Sequence, residues 1–88
     1  MKILVDKTFQ KDWKKIKDKD LNQKLIELLE KAQKASQLSE LPQIKKLAGS
    51  NHFFRIRLGD FRIGLELDGE ILIFVRILHR KEIYRYFP

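Results

Sequence analysis

The spacing of apolar residues changes period once along the chain, and that change limits the folds open to it. Before residue 36 the apolar positions recur at helical spacing; after Gly49-Ser50-Asn51 they alternate. Phe54, Ile56 and Leu58 alternate with Arg55 and Arg57, and Ile63, Leu65 and Leu67 then alternate with Arg62, Gly64 and Glu66. Gly59-Asp60 and Asp68-Gly69 between these runs are two-residue hairpin turns. Ile71 to Leu78 is apolar apart from Arg76, the pattern of a central strand buried on both faces. With 88 residues there is room for one sheet and one helical layer, so residues 1–88 are expected to form a single domain.

The first half supplies the helical layer. Residues 2–5 (Lys-Ile-Leu-Val) read as a short strand, and Asp6 or Thr8 can cap the helix that follows. Phe9, Trp13 and Ile16 lie on one face of that helix, with lysines and Asp12 around them. Lys17-Asp18-Lys19-Asp20 is a polar turn, and Asp20 is placed to cap a second helix striped by Leu21, Leu25, Leu28, Leu29, Ala32 and Ala35. Gln37 to Leu47, carrying Ser39 and Pro42, reads as a connector. The expected fold is α+β in the order β-α-α-β-β-β: an N-terminal strand, a helical hairpin, then an antiparallel sheet with the helices on one face. The tail from His79 to Pro88 is polar and aromatic without a clear period.

Charge sharpens this outline. Nineteen Lys+Arg against twelve Asp+Glu give a net charge of +7, which points to a polyanionic partner. The chain has no cysteine, which excludes a disulfide framework, Cys-ligated zinc and a thiol nucleophile, and fits a reducing cytoplasm. The opening apolar run is too short for a signal peptide, and nothing approaches the ~20 apolar residues of a membrane span, so no membrane partner is expected. Before position 41 every basic residue is lysine; all six arginines come later, at 55, 57, 62, 76, 80 and 85. Lysine suits a solvated helix face, whereas the planar guanidinium suits phosphate and stacking.

The turns predict where the arginines go. A tight Gly59-Asp60 turn sets Leu58 opposite Phe61, Arg57 opposite Arg62 and Arg55 opposite Gly64. A tight Asp68-Gly69 turn sets Arg62 opposite Val75, and His79, sharing the parity of Val75 and Ile77, joins the arginine face. That face would carry Arg55, Arg57, Arg62 and His79 around an open spot at Gly64. Like charges directly opposite on a sheet are destabilising, so a fold that keeps them plausibly holds an anion there. Taken singly, these residues read as the solvated face of a half-exposed sheet, a surface histidine and edge-packing tyrosines; the argument for a site is that they converge. No metal or cofactor is expected. Asp60, Glu66, Asp68, Glu70 and Glu82 lack ligand spacing, and His52 with His79 has no third partner. There is no phosphate-binding glycine motif, and Ser36, Ser39 and Ser50 lie in no nucleophile motif.

Three stretches together carry a family resemblance: Lys46-Leu47-Ala48-Gly49, then Phe54-Arg55-Ile56-Arg57-Leu58-Gly59-Asp60-Phe61-Arg62-Ile63, then His79-Arg80-Lys81-Glu82-Ile83-Tyr84. In spacing and order they resemble the RelE/ParE superfamily of bacterial toxins, and with the helical hairpin before them the resemblance covers nearly the whole chain. It implies a toxin of a type II toxin–antitoxin system, neutralised by a cognate antitoxin. RelE-like members cut mRNA on the ribosome, which makes ribosome and mRNA expected partners; ParE-like members inhibit DNA gyrase. Carried over by position, the resemblance implies catalytic roles for Arg62, His79, Arg80 and Tyr84, and phosphate-binding roles for Arg55, Arg57, Lys46 and Lys81. The general base stays open, since Gln43 stands in the connector where other relatives have a glutamate. The leading expectation is a metal-independent mRNA endoribonuclease; gyrase inhibition and a non-catalytic basic module that binds RNA or an acidic protein remain as alternatives.

Overall fold

A computed structural model describes residues 1–88. The elements run β1 (Lys2–Val5), α1 (Lys7–Lys14), α2 (Lys19–Lys34), a 3₁₀ turn (Leu38–Glu40), β2 (Ile44–Lys46), β3 (Phe53–Leu58), β4 (Phe61–Asp68), β5 (Ile71–His79) and α3 (Ile83–Tyr86). The strands form one sheet in the order β1-β5-β4-β3-β2. The α+β layout is therefore as expected, with three differences. The sheet is mixed, because β1 pairs in parallel with β5. The connector contains a fifth strand, since Ile44, Lys45 and Lys46 pair with Ile56, Arg55 and Phe54. The tail forms a one-turn helix rather than an irregular end.

Capping explains the helix starts. The Asp6 side chain accepts from Lys7 N at 2.9 Å, as expected of that residue. In the second helix Asp18, not Asp20, is the cap: its carboxylate accepts from Leu21 N at 3.2 Å. Capping by Asp18 adds residues to the helix and leaves Asp20 in the first turn, where its charge suits the helix dipole. The Trp13 indole N–H donates to Asn22 Oδ1 at 2.9 Å and ties α1 to α2.

One core lies between the helices and the sheet. Phe9, Leu25, Leu28 and Ala32 from the helices meet Ile56, Ile63, Leu65, Leu72, Phe74 and Ile77 from β3, β4 and β5. Removing that apolar area from water is the main favourable term, and side chains of this size each contribute about 1.5–3 kcal/mol when fully buried. The stripes read from sequence thus do the work of a core.

β1 covers only the first half of β5, and α1 covers the rest of that edge. Beyond the last β1 partner, Phe74, the edge groups meet side chains: the Thr8 hydroxyl lies 2.8 Å from Val75 O, and Asp12 Oδ2 accepts from Ile77 N at 3.1 Å. Thr8 and Asp12 are one helical turn apart, so they share the face that meets the strand. Asp12 is 5% exposed and forms a bidentate pair with Arg76, Oδ2 to Nε at 2.7 Å and Oδ1 to Nη2 at 2.9 Å. It is therefore a structural residue, not part of a solvated helix face.

Candidate nucleic-acid interface

The β3–β4 hairpin has the register that its turn predicts: Leu58 opposite Phe61, Arg57 opposite Arg62, Arg55 opposite Gly64. Gly59 has φ +60° and is the only residue of that turn with positive φ, as a type II′ turn requires. Ile56 and Ile63 face the helices, so Arg55, Arg57 and Arg62 stand on the opposite face.

The next hairpin departs from its predicted register. Its turn is Gly69-Glu70 rather than Asp68-Gly69, with Asp68 opposite Ile71 and Gly69 at φ +61°. A bulge between Gly64 and Leu65 then shifts the pairing, so Arg62 lies opposite Leu78 and not Val75. One consequence concerns His79. It pairs with Phe61 and meets that ring at 5.7 Å, on the side of the sheet that carries Ile63 and Ile77. The structure thus takes His79 off the arginine face and puts it at the strand's end on the helical side. Its Nδ1 accepts from Lys81 N at 3.2 Å, which leaves Nε2 to carry the proton of the neutral ring.

The spot beside Gly64 is not open either. The Phe87 ring lies against it, and Phe87 meets Phe53 edge to face at 5.6 Å. The tail crosses the arginine face at this point, and Tyr84, 68% exposed, stands with the Arg55 guanidinium 5.2 Å from its ring centre.

Electrostatics separates the arginines into two groups. Burial, followed by the charges of Arg57, Arg55 and Arg80, holds the Arg62 pKa below the ordinary arginine value. Arg76 is shifted the other way, first by the hydrogen bond it donates to Asp12 and despite partial burial. The Arg76–Asp12 pair is the only salt bridge in the molecule, so Arg55, Arg57, Arg62 and Arg80 have no carboxylate within 4 Å. Arg62 Nη1 donates to Gly59 O and Phe61 O, each at 2.8 Å, which fixes the head of that side chain over the turn. Arg80 is brought to the same turn by its backbone N–H, which donates to Asp60 O at 2.8 Å.

The two lysines expected at this surface fare differently from the arginines. Lys46 pairs with Phe54, whose side chain packs against the core, so it points to the helical side of the edge strand. Lys81 is exposed in the turn before α3, and its side chain makes no hydrogen bond or salt bridge. Lys45, which the sequence reading passed over, pairs with Arg55 and extends the arginine face by one more cation. The sequence carried little signal for it, because Ile44-Lys45-Lys46-Leu47 does not alternate and Pro42 stands just before it.

One sheet face thus carries clustered guanidiniums without a carboxylate in contact, beside an exposed tyrosine, an arrangement with the chemistry to hold an anion. A family model described as the ParE toxin of type II toxin–antitoxin systems matches residues 3–84, and the chain belongs to that family, within the RelE/ParE superfamily of toxins. Among relatives, the chain is 43% identical over 89 residues to Toxin RelE3 of Methanocaldococcus jannaschii, with all of both chains covered. It is also similar to the toxin in the crystal structure of the RelB–RelE antitoxin–toxin complex from Methanococcus jannaschii, at a TM-score of 0.83 and 40% identity over 97% of this chain and 99% of that one. The toxin–antitoxin complex RelBE2 of Mycobacterium tuberculosis shares the fold, with a TM-score of 0.70 at 20% identity over 90% and 96% of the two chains. The protein is a toxin of a type II toxin–antitoxin system. No helix is long and apolar enough to cross a membrane.

Proposed function

We propose that this toxin is an mRNA endoribonuclease of the RelE kind, acting on the ribosome in the cytoplasm without a metal. Residues 1–88 act as one toxin domain, and a cognate antitoxin holds it in check. The observation that carries this reading is the set of four arginines, 55, 57, 62 and 80, left without a carboxylate on one side of the molecule. Four clustered cations with no carboxylate in contact cost stability, even with Asp60 acting on Arg62 from further away, and a multiply charged anion is the ligand that offsets that cost.

The chemistry follows from what these groups can and cannot do. In RNA the 2′ oxygen attacks the adjacent phosphorus, the bond to the 5′ oxygen breaks, and that oxygen takes up a proton. Arg62 and Arg80 stabilise the charge that builds on the phosphoryl oxygens, an effect worth roughly 10²–10³ in rate per donor. Arg55, Arg57 and Lys45 hold flanking phosphates, and Tyr84 stacks on an exposed base. His79 stands on the helical side at the end of β5, next to Arg80 and near the turn that holds the Arg62 head. The RNA must therefore pass around that end for His79 Nε2 to donate to the leaving 5′ oxygen, a transfer worth roughly 10²–10⁴. The guanidiniums keep their protons at neutral pH and cannot accept the 2′ proton. A base supplied from outside the chain gives dependence on the ribosome a chemical reason.

In a translation extract the purified protein should cut mRNA, and Arg62→Ala or His79→Ala should each slow cutting at least tenfold. Unchanged cutting by both variants would overturn the assignment. A second reading is favoured by the description of the matching family, which names ParE: a toxin that blocks DNA gyrase by binding. A supercoiling assay separates the two, since only that toxin inhibits gyrase while leaving mRNA whole.

A further inference from the structure

α3 is four residues long, too short to hold its shape alone, so the position of Tyr84 depends on what pins the turn to the sheet. Two side chains do that. Ile83 and Phe87, one helical turn apart, are 1% and 6% exposed, while Tyr84 and Tyr86 between them point outward.

Phe87 has a seat made for it. A Cβ added at Gly64 would lie 2.5–2.7 Å from three atoms of the Phe87 ring, closer than real carbon contacts allow. Gly64 does not have positive φ, so its backbone does not require glycine. What requires it is the room its missing side chain leaves for the ring. The edge-to-face contact with Phe53 closes the seat on the next strand.

Register then links this seat to the tyrosine. Gly64 lies directly opposite Arg55, and Arg55 is the residue whose guanidinium sits under Tyr84. One cross-strand pair therefore meets both ends of the turn, Phe87 on its glycine and Tyr84 over its arginine. We infer that Phe87, seated on Gly64, is a positioning residue that sets Tyr84 over Arg55, so that ring and guanidinium together meet an unstacked base and its phosphate in single-stranded RNA. The inference rests on the RNA reading above for its ligand, but not for its geometry.

The test has a part without RNA and a part with it. In NMR spectra of the free protein, the Arg55 side-chain resonances should show the ring-current shift of Tyr84. That shift should vanish in Tyr84→Ala, in Phe87→Ala and in Gly64→Ala, which keeps the phenyl ring but denies it the seat. Persistence of the shift in both Phe87→Ala and Gly64→Ala, in well-dispersed spectra, overturns the inference. For a short single-stranded RNA, Tyr84→Ala should weaken binding about tenfold, as loss of one stacked base implies. Phe87→Ala should cost as much, and the double variant should cost no more than either alone. Losses that multiply in the double variant overturn the inference, because they mean Phe87 acts by another route. If the NMR shifts behave as expected while RNA binding ignores Tyr84→Ala, the positioning stands and the RNA reading fails.

Discussion

Arg76 and Arg62 are diagonal neighbours on paired strands, since Arg76 lies opposite Gly64, two residues from Arg62, yet they are opposite cases. Arg76 wraps the edge of β5 and is neutralised by a buried carboxylate that also accepts a backbone N–H. Arg62 sits among like charges with carbonyls as its partners. The signs of their pKa shifts state the energetic difference. A pKa raised on folding means the charge of Arg76 supports the fold, and that support is lost only as pH rises through the raised value, above the working range. A pKa lowered on folding means the charge of Arg62 opposes the fold at every pH below that value. One arginine closes the structure, and the other carries a charge that no carboxylate contacts.

Substitutions can break this comparison. The largest expected effect on activity is at the unpaired group: Arg62→Ala should lower the rate of mRNA cutting by about 100-fold, as removal of one charge-stabilising donor does, with little loss of melting temperature. At the paired group the effect falls on stability. Asp12→Ala strands both the Arg76 charge and the Ile77 N–H, and urea unfolding should show a loss of about 3 kcal/mol. A smaller and opposite effect is expected at Arg57, directly across from Arg62. Arg57→Gln should raise stability by about 0.5 kcal/mol by removing a like-charge pair. It should also reduce the slope of RNA affinity against salt by about 0.7 on a log–log plot, the value for one phosphate contact. A destabilised Arg57→Gln would mean that the arginine face is compensated by a group other than bound anion.

The sequence shows the unpaired region more clearly than the paired one. Alternation on β3 and β4 and a glycine at the first turn position were enough to place Arg55, Arg57 and Arg62 together, because that hairpin holds one register along its whole length. The β4–β5 register was not legible. Asp68-Gly69 reads as a turn, but the fold uses Gly69 at the first turn position, as it uses Gly59, and a bulge at Gly64/Leu65 adds a second shift. The two-residue displacement of the turn leaves the faces unchanged; the one-residue bulge, invisible in residue types, moves His79 to the other side of the sheet. The seat of Phe87 was hidden for a related reason. A glycine inside a strand signals a close approach, but the residue that approaches comes from beyond the end of β5. Asp12 looked like an ordinary helix-surface residue because nothing local shows that β1 stops short and leaves β5 an edge for α1 to cover.

The central claim is that arginines left without carboxylates mark the surface that cuts RNA, while the paired one does not. It is tested most directly by mRNA cleavage in a reconstituted translation system, comparing the wild-type protein with Arg62→Ala and Arg80→Ala at matched folded concentration. The account predicts discrete cuts by the wild type and at least a tenfold loss of cutting in each variant. Undiminished cutting by both variants, or an intact message alongside inhibited gyrase supercoiling, would contradict it.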